Sequence, residues 1–219
     1  FRVSKHPWVQ VPAGEIGVII AQVGAPLPVG AKSATYSNYL GNFSGLRDFL
    51  NGGGQKGVQR PVLPPGTLSP IHPAAFLVIT RNQVYGIPAS PELQDLARRG
   101  QLTCTAFGLQ PEQLMVTVIA PQGDVDVVGV VTTLEGEPLA KGDIASRLGG
   151  FEDIRRLEEA GAGDAEIVEE LLASQNGRHN NYQDFQAFID AGGKIGLQHD
   201  AILYGAYLLN PFLVRVELV

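Results

Sequence analysis

The sequence predicts a β-rich α+β fold: two tandem small antiparallel β units, each with a short helix, and a helical insertion in the second. Three observations lead there. Two blocks of sequence recur in the same order, apolar residues alternate over short runs between glycines and prolines, and only brief stretches carry helical spacing. The chain has 219 residues, of which 44% are hydrophobic and 17% charged. That composition belongs to a folded chain and is enough for two domains of about 100 residues.

The first recurring block is "IGVIIAQVGAPLPVG" (16–30), which matches "VGVVTTLEGEPLAKG" (128–142) without gaps. Gly17, Val18, Gly24, Pro26, Leu27 and Gly30 fall on Gly129, Val130, Gly136, Pro138, Leu139 and Gly142. The second block is "NFSGLRDFLNGGGQKGVQ" (42–59) against "NYQDFQAFIDAGGKIGLQ" (181–198). There Asn42, Phe49, Gly53, Gly54, Gly57, Gln59 and Gly66 fall on Asn181, Phe188, Gly192, Gly193, Gly196, Gln198 and Gly205. After a single-residue gap, His72-Pro73 meets Asn210-Pro211, and "AAFLVIT" meets "FLVRVEL".

Each copy opens on a strand, over 14–22 and 126–133, and turns at glycine and proline. Leu46, Phe49 and Leu50, like Phe185, Phe188 and Ile189, sit at i, i+3, i+4, one apolar face of a short helix. The glycines that follow stop that helix, where a left-handed residue is wanted. A phosphate loop needs the opposite order, glycines ahead of a helix whose N-terminus meets the anion. The run before Lys56 is therefore read as backbone geometry with no cofactor. Strands follow over 57–63 and 196–203, then a glycine turn and a last strand over 75–80 and 213–219.

Between the copies, "SPELQDLARRG" is a helix capped by Ser90, with Pro91 in its first turn and Gly100 at its stop. "QLMVTVIA" then starts the second unit as a strand. The units are expected over 1–103 and 104–219. The insertion, about 149–179, is helical in "FEDIRRLEEAG" and "DAEIVEELLASQNG", with Ile167, Val168, Leu171 and Leu172 as one face. It is either a solvated hairpin or a surface for a neighbouring subunit.

The chemistry is sparse. A net charge of -6 without a Lys/Arg run argues against a nucleic-acid partner. The single cysteine, Cys104, forms no disulfide framework and reads as a small buried hydrophobe. His6, His72, His179 and His199 have no partner at metal-ligand spacing, so no metal site is expected and each reads as a surface histidine. No nucleophile elbow occurs, and the carboxylates of "FEDIRRLEE" read as solvated. Catalytic, cofactor and metal sites are all expected to be none. No apolar run reaches the roughly 18 residues of a membrane span. The chain closes on alternating Val214, Val216 and Leu218, inside a half-buried strand, which suggests a piece of a longer protein.

The stretches "VPAGEIGVIIAQVG", "GGGQKGVQRPVLPPGTLSPIHPAAFLVIT" and "QAFIDAGGKIGLQHDAILYGAYLLNPFLVRVELV" resemble bacterial flotillin-like proteins of the stomatin–prohibitin–flotillin superfamily, also called SPFH or band 7. The order is a glycine-bounded apolar strand, a glycine-rich "GVQ" or "GLQ", then "LPPGT" and a His-Pro or Asn-Pro turn. "ILYGAYLLNP" departs from it by lacking the Pro-Gly of the first copy. The resemblance implies a non-catalytic membrane-associated scaffold that forms a homo-oligomeric ring or cage and organises a membrane microdomain. It implies membrane lipid reached through a segment upstream of Phe1, a possible membrane-protein client, and a coiled coil beyond Val219. Arg2 and Lys5 beside such an anchor favour the cytoplasmic face. Trp8 suits a membrane interface or a buried place in the first strand. The alternatives are a soluble adaptor, a shell of β repeats like the major vault protein, or a hydrolase using His199 or Cys104 between the repeats.

Overall fold

A computed structural model describes residues 5–41, 43–139, 141–147 and 151–219. Phe1, Arg2, Asn42 and Gly149 lie outside the described residues, as do the side chains of Glu152, Asp153 and Leu171. The fold is α+β, with short strands in several small sheets and five short α-helices among the described residues. It divides into two compact units, Phe1–Thr117 with Ala206–Phe212, and Val118–Gly205 with Leu213–Val219. The sequence repeat changes copy near 103 and runs on to the C-terminus, so the stretch Ala206–Phe212 belongs to the second copy by sequence and to the first unit by packing.

In the first unit, β1 (Val9–Gln10), β2 (Gly17–Ala21), β3 (Ser33–Ala34), α1 (Leu46–Asn51), β4 (Gly57–Leu63), β5 (Leu68–Ser69), β6 (Phe76–Ile79) and β7 (Val84–Tyr85) follow in order. Five of the strands make a sheet ordered β3-β4-β2-β6-β7, and β1 pairs with β5. The central run "GVIIA" alternates between two covered faces, which is why it reads as continuously apolar. Ile19, Ala21, Phe76 and Val78 pack with Phe43 and Phe49 on one face. Val18 and Ile79 pack with Cys104, Leu109 and Leu114 on the other, where Leu208 and Phe212 also settle.

α2 (Pro91–Arg98) begins as its sequence indicates, with the Ser90 hydroxyl accepting the Leu93 N–H. The strand expected over 113–120 is shorter. Pro111 and the reciprocal Gln110/Gln113 cap set a 3-10 turn over Pro111–Leu114, and β8 covers only Thr117–Ile119.

The second unit contains β9 (Gly129–Thr133), α3 (Phe151–Glu159), α4 (Asp164–Leu172), α5 (Phe185–Asp190) and β10 (Gly196–Leu197). β11 (Gly205–Tyr207) follows at the boundary, with Ala206 and Tyr207 counted in the first unit, and β12 (Val214–Leu218) closes the second. Its three-stranded sheet is ordered β10-β9-β12, and β11 pairs with β8.

The two copies share one register. Antiparallel partners Val18↔Ile79, Ile19↔Val78, Ile20↔Leu77 and Ala21↔Phe76 correspond, through the sequence alignment, to Val130↔Glu217, Val131↔Val216, Thr132↔Arg215 and Thr133↔Val214. On the other side Ile20↔Val58 and Ala21↔Gly57 become Thr132↔Leu197 and Thr133↔Gly196. Gly17↔Leu63 returns as Gly129↔Ile202, and the parallel bridges Ala25↔Gln55 and Ala34↔Gln59 return as Glu137↔Lys194 and Ser146↔Gln198. A sheet register slips by whole residues, so agreement at every one of these pairs is geometric evidence of duplication.

Three expectations need correction. The strand over 196–203 stops at Leu197, because Asp200 and Ala201 are drawn to the loop: Asp200 Oδ2 accepts the Gln175 N–H and Asn176 Nδ2 donates to the Ala201 carbonyl. The chain rejoins β9 only at Ile202. Leu50 is exposed, so the buried face of α1 is Phe49 with Leu46 beside it. The insertion also ends earlier than 179. Leu40 and His179 are both buried, and Phe43 and Tyr182 both sit at φ 62, so these pairs are equivalent and His179 belongs to the module.

Candidate functional site

The glycine run after α1 is the first candidate, and its hydrogen bonds settle its role. The Gly53 N–H reaches the Leu50 carbonyl and the Gly54 N–H reaches Phe49, the two bonds of a Schellman stop. Gly192 to Ile189 and Gly193 to Phe188 repeat them. Gly53 and Gly192 take φ of +79° and +80°, the left-handed position of that motif. Gly54 and Gly193 are held for a different reason: a Cβ there would lie 2.5 and 2.4 Å from the rings of Phe49 and Phe188. The Gly52 and Lys56 N–H groups are also donated, to Asp48 and Ala25. The N–H groups of 52, 53, 54 and 56 thus all have backbone partners, and the run lies at the negative end of its helix. It does not form a phosphate cradle.

A buried glutamine follows each stop. Gln59 Nε2 donates to the carbonyls of Gln55 and Gly57, and Gln198 Nε2 to those of Lys194 and Gly196. These side chains knit the turn that leads from the glycines into the strand, which explains why "GVQ" and "GLQ" both keep the amide.

His179 is the titratable group that the sequence reading misplaced. It is 1% exposed, not at the surface. Its ring lies 4.2 Å from the Tyr182 ring and stands edge-on to Phe188 at 5.4 Å. Nδ1 accepts the Tyr182 N–H at 2.8 Å, so this nitrogen carries no proton. Burial pushes the imidazole down to about 4, against weaker upward pulls from its backbone hydrogen bond and from Asp200 and Asp184. The accepted N–H closes a turn in which Asn180, Asn181 and Tyr182 are all left-handed. The Tyr182 hydroxyl donates to the Asp200 carbonyl, and burial, with Asp200 second, pushes its pKa well above the usual tyrosine range, so it stays protonated. The signal was available: the repeat aligns His179 with Leu40, a core position.

Cys104 and His199, the residues of the hydrolase alternative, belong to different units. Cys104 is buried in the core of the first unit, its Sγ 3.8 Å from the Arg81 carbonyl. His199 is exposed on the second unit, with Nδ1 3.3 Å from Asp200 Oδ1. Asp200 in turn is engaged with Gln175 and, through its carbonyl, with Tyr182. His6 and His72 are exposed. Among the described residues no group of three or more His, Cys, Asp or Glu is placed to hold a metal ion. No helix of the described residues is long and apolar enough to cross a membrane.

No protein-family model, curated protein or solved structure matches the chain. What the geometry offers is a module whose distinctive residues maintain backbone turns: two Schellman glycines, two ring-contact glycines, two turn-knitting glutamines and one buried acceptor histidine.

Proposed function

We propose that the chain is a non-catalytic scaffold subunit of the SPFH type, which self-associates into a ring or cage and organises a membrane microdomain. One observation carries the reading. The residues through which the sequence resembles that superfamily are the ones that hold the duplicated module's turns and register. A scaffold needs a reproducible shape, and conserving turn geometry twice in one chain serves that need. A second feature supports the membrane side. Trp8 and Leu68 are 57% and 61% exposed, and both point away from the buried Val9 on the β1–β5 ribbon. An exposed aromatic and an exposed leucine, with the exposed Lys5 three residues ahead of Trp8 in the chain, suit a headgroup surface. Attachment through a segment ahead of Phe1, on the cytoplasmic face, and a membrane-protein client complete the proposal.

The test is to image the full-length protein extracted in mild detergent. Uniform closed assemblies are expected; uniform monomers would overturn the reading. In a vesicle flotation assay, Trp8→Ser is expected to lower the bound fraction of the protein.

A further inference from the structure

The helical insertion is where the two copies differ most in charge. Over 151–173 it carries eight Asp or Glu against two Arg, and the first copy has no counterpart. By unit, the first holds nine Lys or Arg against five Asp or Glu, and the second holds seven against seventeen, so the net charges are +4 and -10. A groove of about 280 Å³ runs along the insertion, lined by Leu157 of α3 and by Glu166, Glu169 and Ala173 of α4 and its end. That volume is below the roughly 300–1,000 Å³ of small-molecule pockets and suits protein side chains. Glu159 is matched to Arg155 at 3.7 Å, whereas the exposed Glu166 and Glu169 make no ion pair among the described residues. Val168 and Leu172, on the same helix, are 51% and 81% exposed.

We infer that this groove receives the outward face of α1 from a second copy of the chain. The argument is charge complementarity joined to an apolar anchor. α1 buries Phe49 and turns Arg47 and Leu50 outward, at i and i+3 on one face, with Leu50 46% exposed. Leu50 matches the Leu157 and Ala173 surface of the groove, and Arg47 matches the two glutamates beside it. Lys56, exposed beyond the glycine stop of the same helix, adds a second positive charge. Neither Arg47 nor Lys56 makes an ion pair among the described residues. The equivalent helix of the second copy does not fit. α5 carries Gln186 in place of Arg47, its amide held by Asp190, and Ile195 stands in place of Lys56. An apolar anchor flanked by matching charge is how a short helix face is held in a groove. The contact joins the first unit of one copy to the second unit of the next, so it is heterologous and propagates head to tail, closing into a ring where the rotation allows. It rests on the reading of the chain as a self-associating subunit and names one of the contacts used.

The experiment is sedimentation equilibrium on the 219-residue chain and on two variants, each alone and the two mixed in equal amounts. Arg47→Ser with Leu50→Ser blunts the helix face and leaves the groove intact. Glu166→Lys with Glu169→Lys reverses the groove and leaves the helix intact. All four side chains are exposed, so both variants should keep the native circular dichroism. The unaltered chain is expected to associate beyond a dimer, and more weakly at about 300 mM salt than at about 50 mM. Each variant alone should associate roughly tenfold more weakly or worse. Mixed, the two retain one intact helix and one intact groove that fit each other, so they should form dimers that grow no further. Variants that associate like the unaltered chain, or a mixture that stays monomeric, would overturn the helix contact and leave the scaffold reading standing. An unaltered chain that stays monomeric to about 1 mM, the weak end of specific association, would sink both and leave the groove to a basic helix of another protein.

Discussion

The two copies of the module share their register, their helix stops and their turn glutamines, yet they differ in which surfaces they bury. In the first copy both sheet faces are covered, and the positions that point to the second face are Val18, Ile20, Leu77 and Ile79. In the second copy the equivalent positions are Val130, Thr132, Arg215 and Glu217, half-buried or exposed. The module therefore needs only one buried face, the one holding its ring-contact phenylalanine. The other face is free to be made apolar and covered, or charged and left in water. That core face is built differently too: Phe43, Phe49 and Phe76 pack ring to ring in the first copy, whereas His179, Tyr182, Phe185 and Phe188 do so in the second.

The sharpest way to test that one face suffices is to remove its centre in each copy. Phe49 and Phe188 are both fully buried, and each rests against the glycine that has no Cβ. Truncating Phe49→Ala or Phe188→Ala should cost about 3–5 kcal/mol, measured by urea unfolding. Matched losses are expected. A loss at Phe188 under half that at Phe49 would mean the second copy depends less on this face than its geometry implies.

The histidine offers a second, somewhat smaller contrast, because only one copy has a titratable group at that position. His179 titrates at about 4 when folded and near 6.5 when unfolded, so between those values the unfolded chain binds the extra proton. The stability owed to the neutral ring is complete above pH 6.5. It falls as the pH drops toward 4 and levels off below that. The total loss should be on the order of 3 kcal/mol. The substitution His179→Leu, which installs the residue of the first copy, should flatten this part of the profile. It also strands the Tyr182 N–H, so stability at neutral pH should fall. If the variant keeps the full acid slope, the slope belongs to other groups.

Much of this was legible in the sequence because duplication supplies its own control. An apolar run such as "IGVIIA" is ambiguous alone, but its match at 128–133 fixes where the strand lies, and "FLVRVEL" beside "AAFLVIT" already shows which face changed character. Helix stops were equally plain, since Gly53 and Gly192 occupy the one place where a left-handed residue ends a helix. The misreadings share a cause. His179 looks polar and loop-bound, and its burial depends on rings and a carboxylate loop contributed from 182 to 200. The early end of β10 depends on Asp200 bonding a residue 25 positions away. Likewise the stretch Ala206–Phe212 follows the second copy in sequence but supplies Leu208 and Phe212 to the first unit's core. Periodicity describes local faces and carries no information on such distant partners.

The smallest effect separates two reasons for a glycine. At Gly53 and Gly192 a Cβ would meet nothing within 4 Å, so only the left-handed backbone resists a side chain. Ala at either site should cost about 1 kcal/mol, and Asn less, because Asn tolerates that conformation. At Gly54 and Gly193 the obstacle is the phenylalanine ring, and Ala there should cost more, about 1–3 kcal/mol, by forcing the core apart. Thermal unfolding of the four Ala variants ranks them. If the turns of the two copies are physically the same object, Gly53→Ala and Gly192→Ala will agree within about 0.5 kcal/mol, and so will the other pair. A reversed ranking, with the open-space sites costing more than the ring-contact sites, would mean the core yields more easily than the turn.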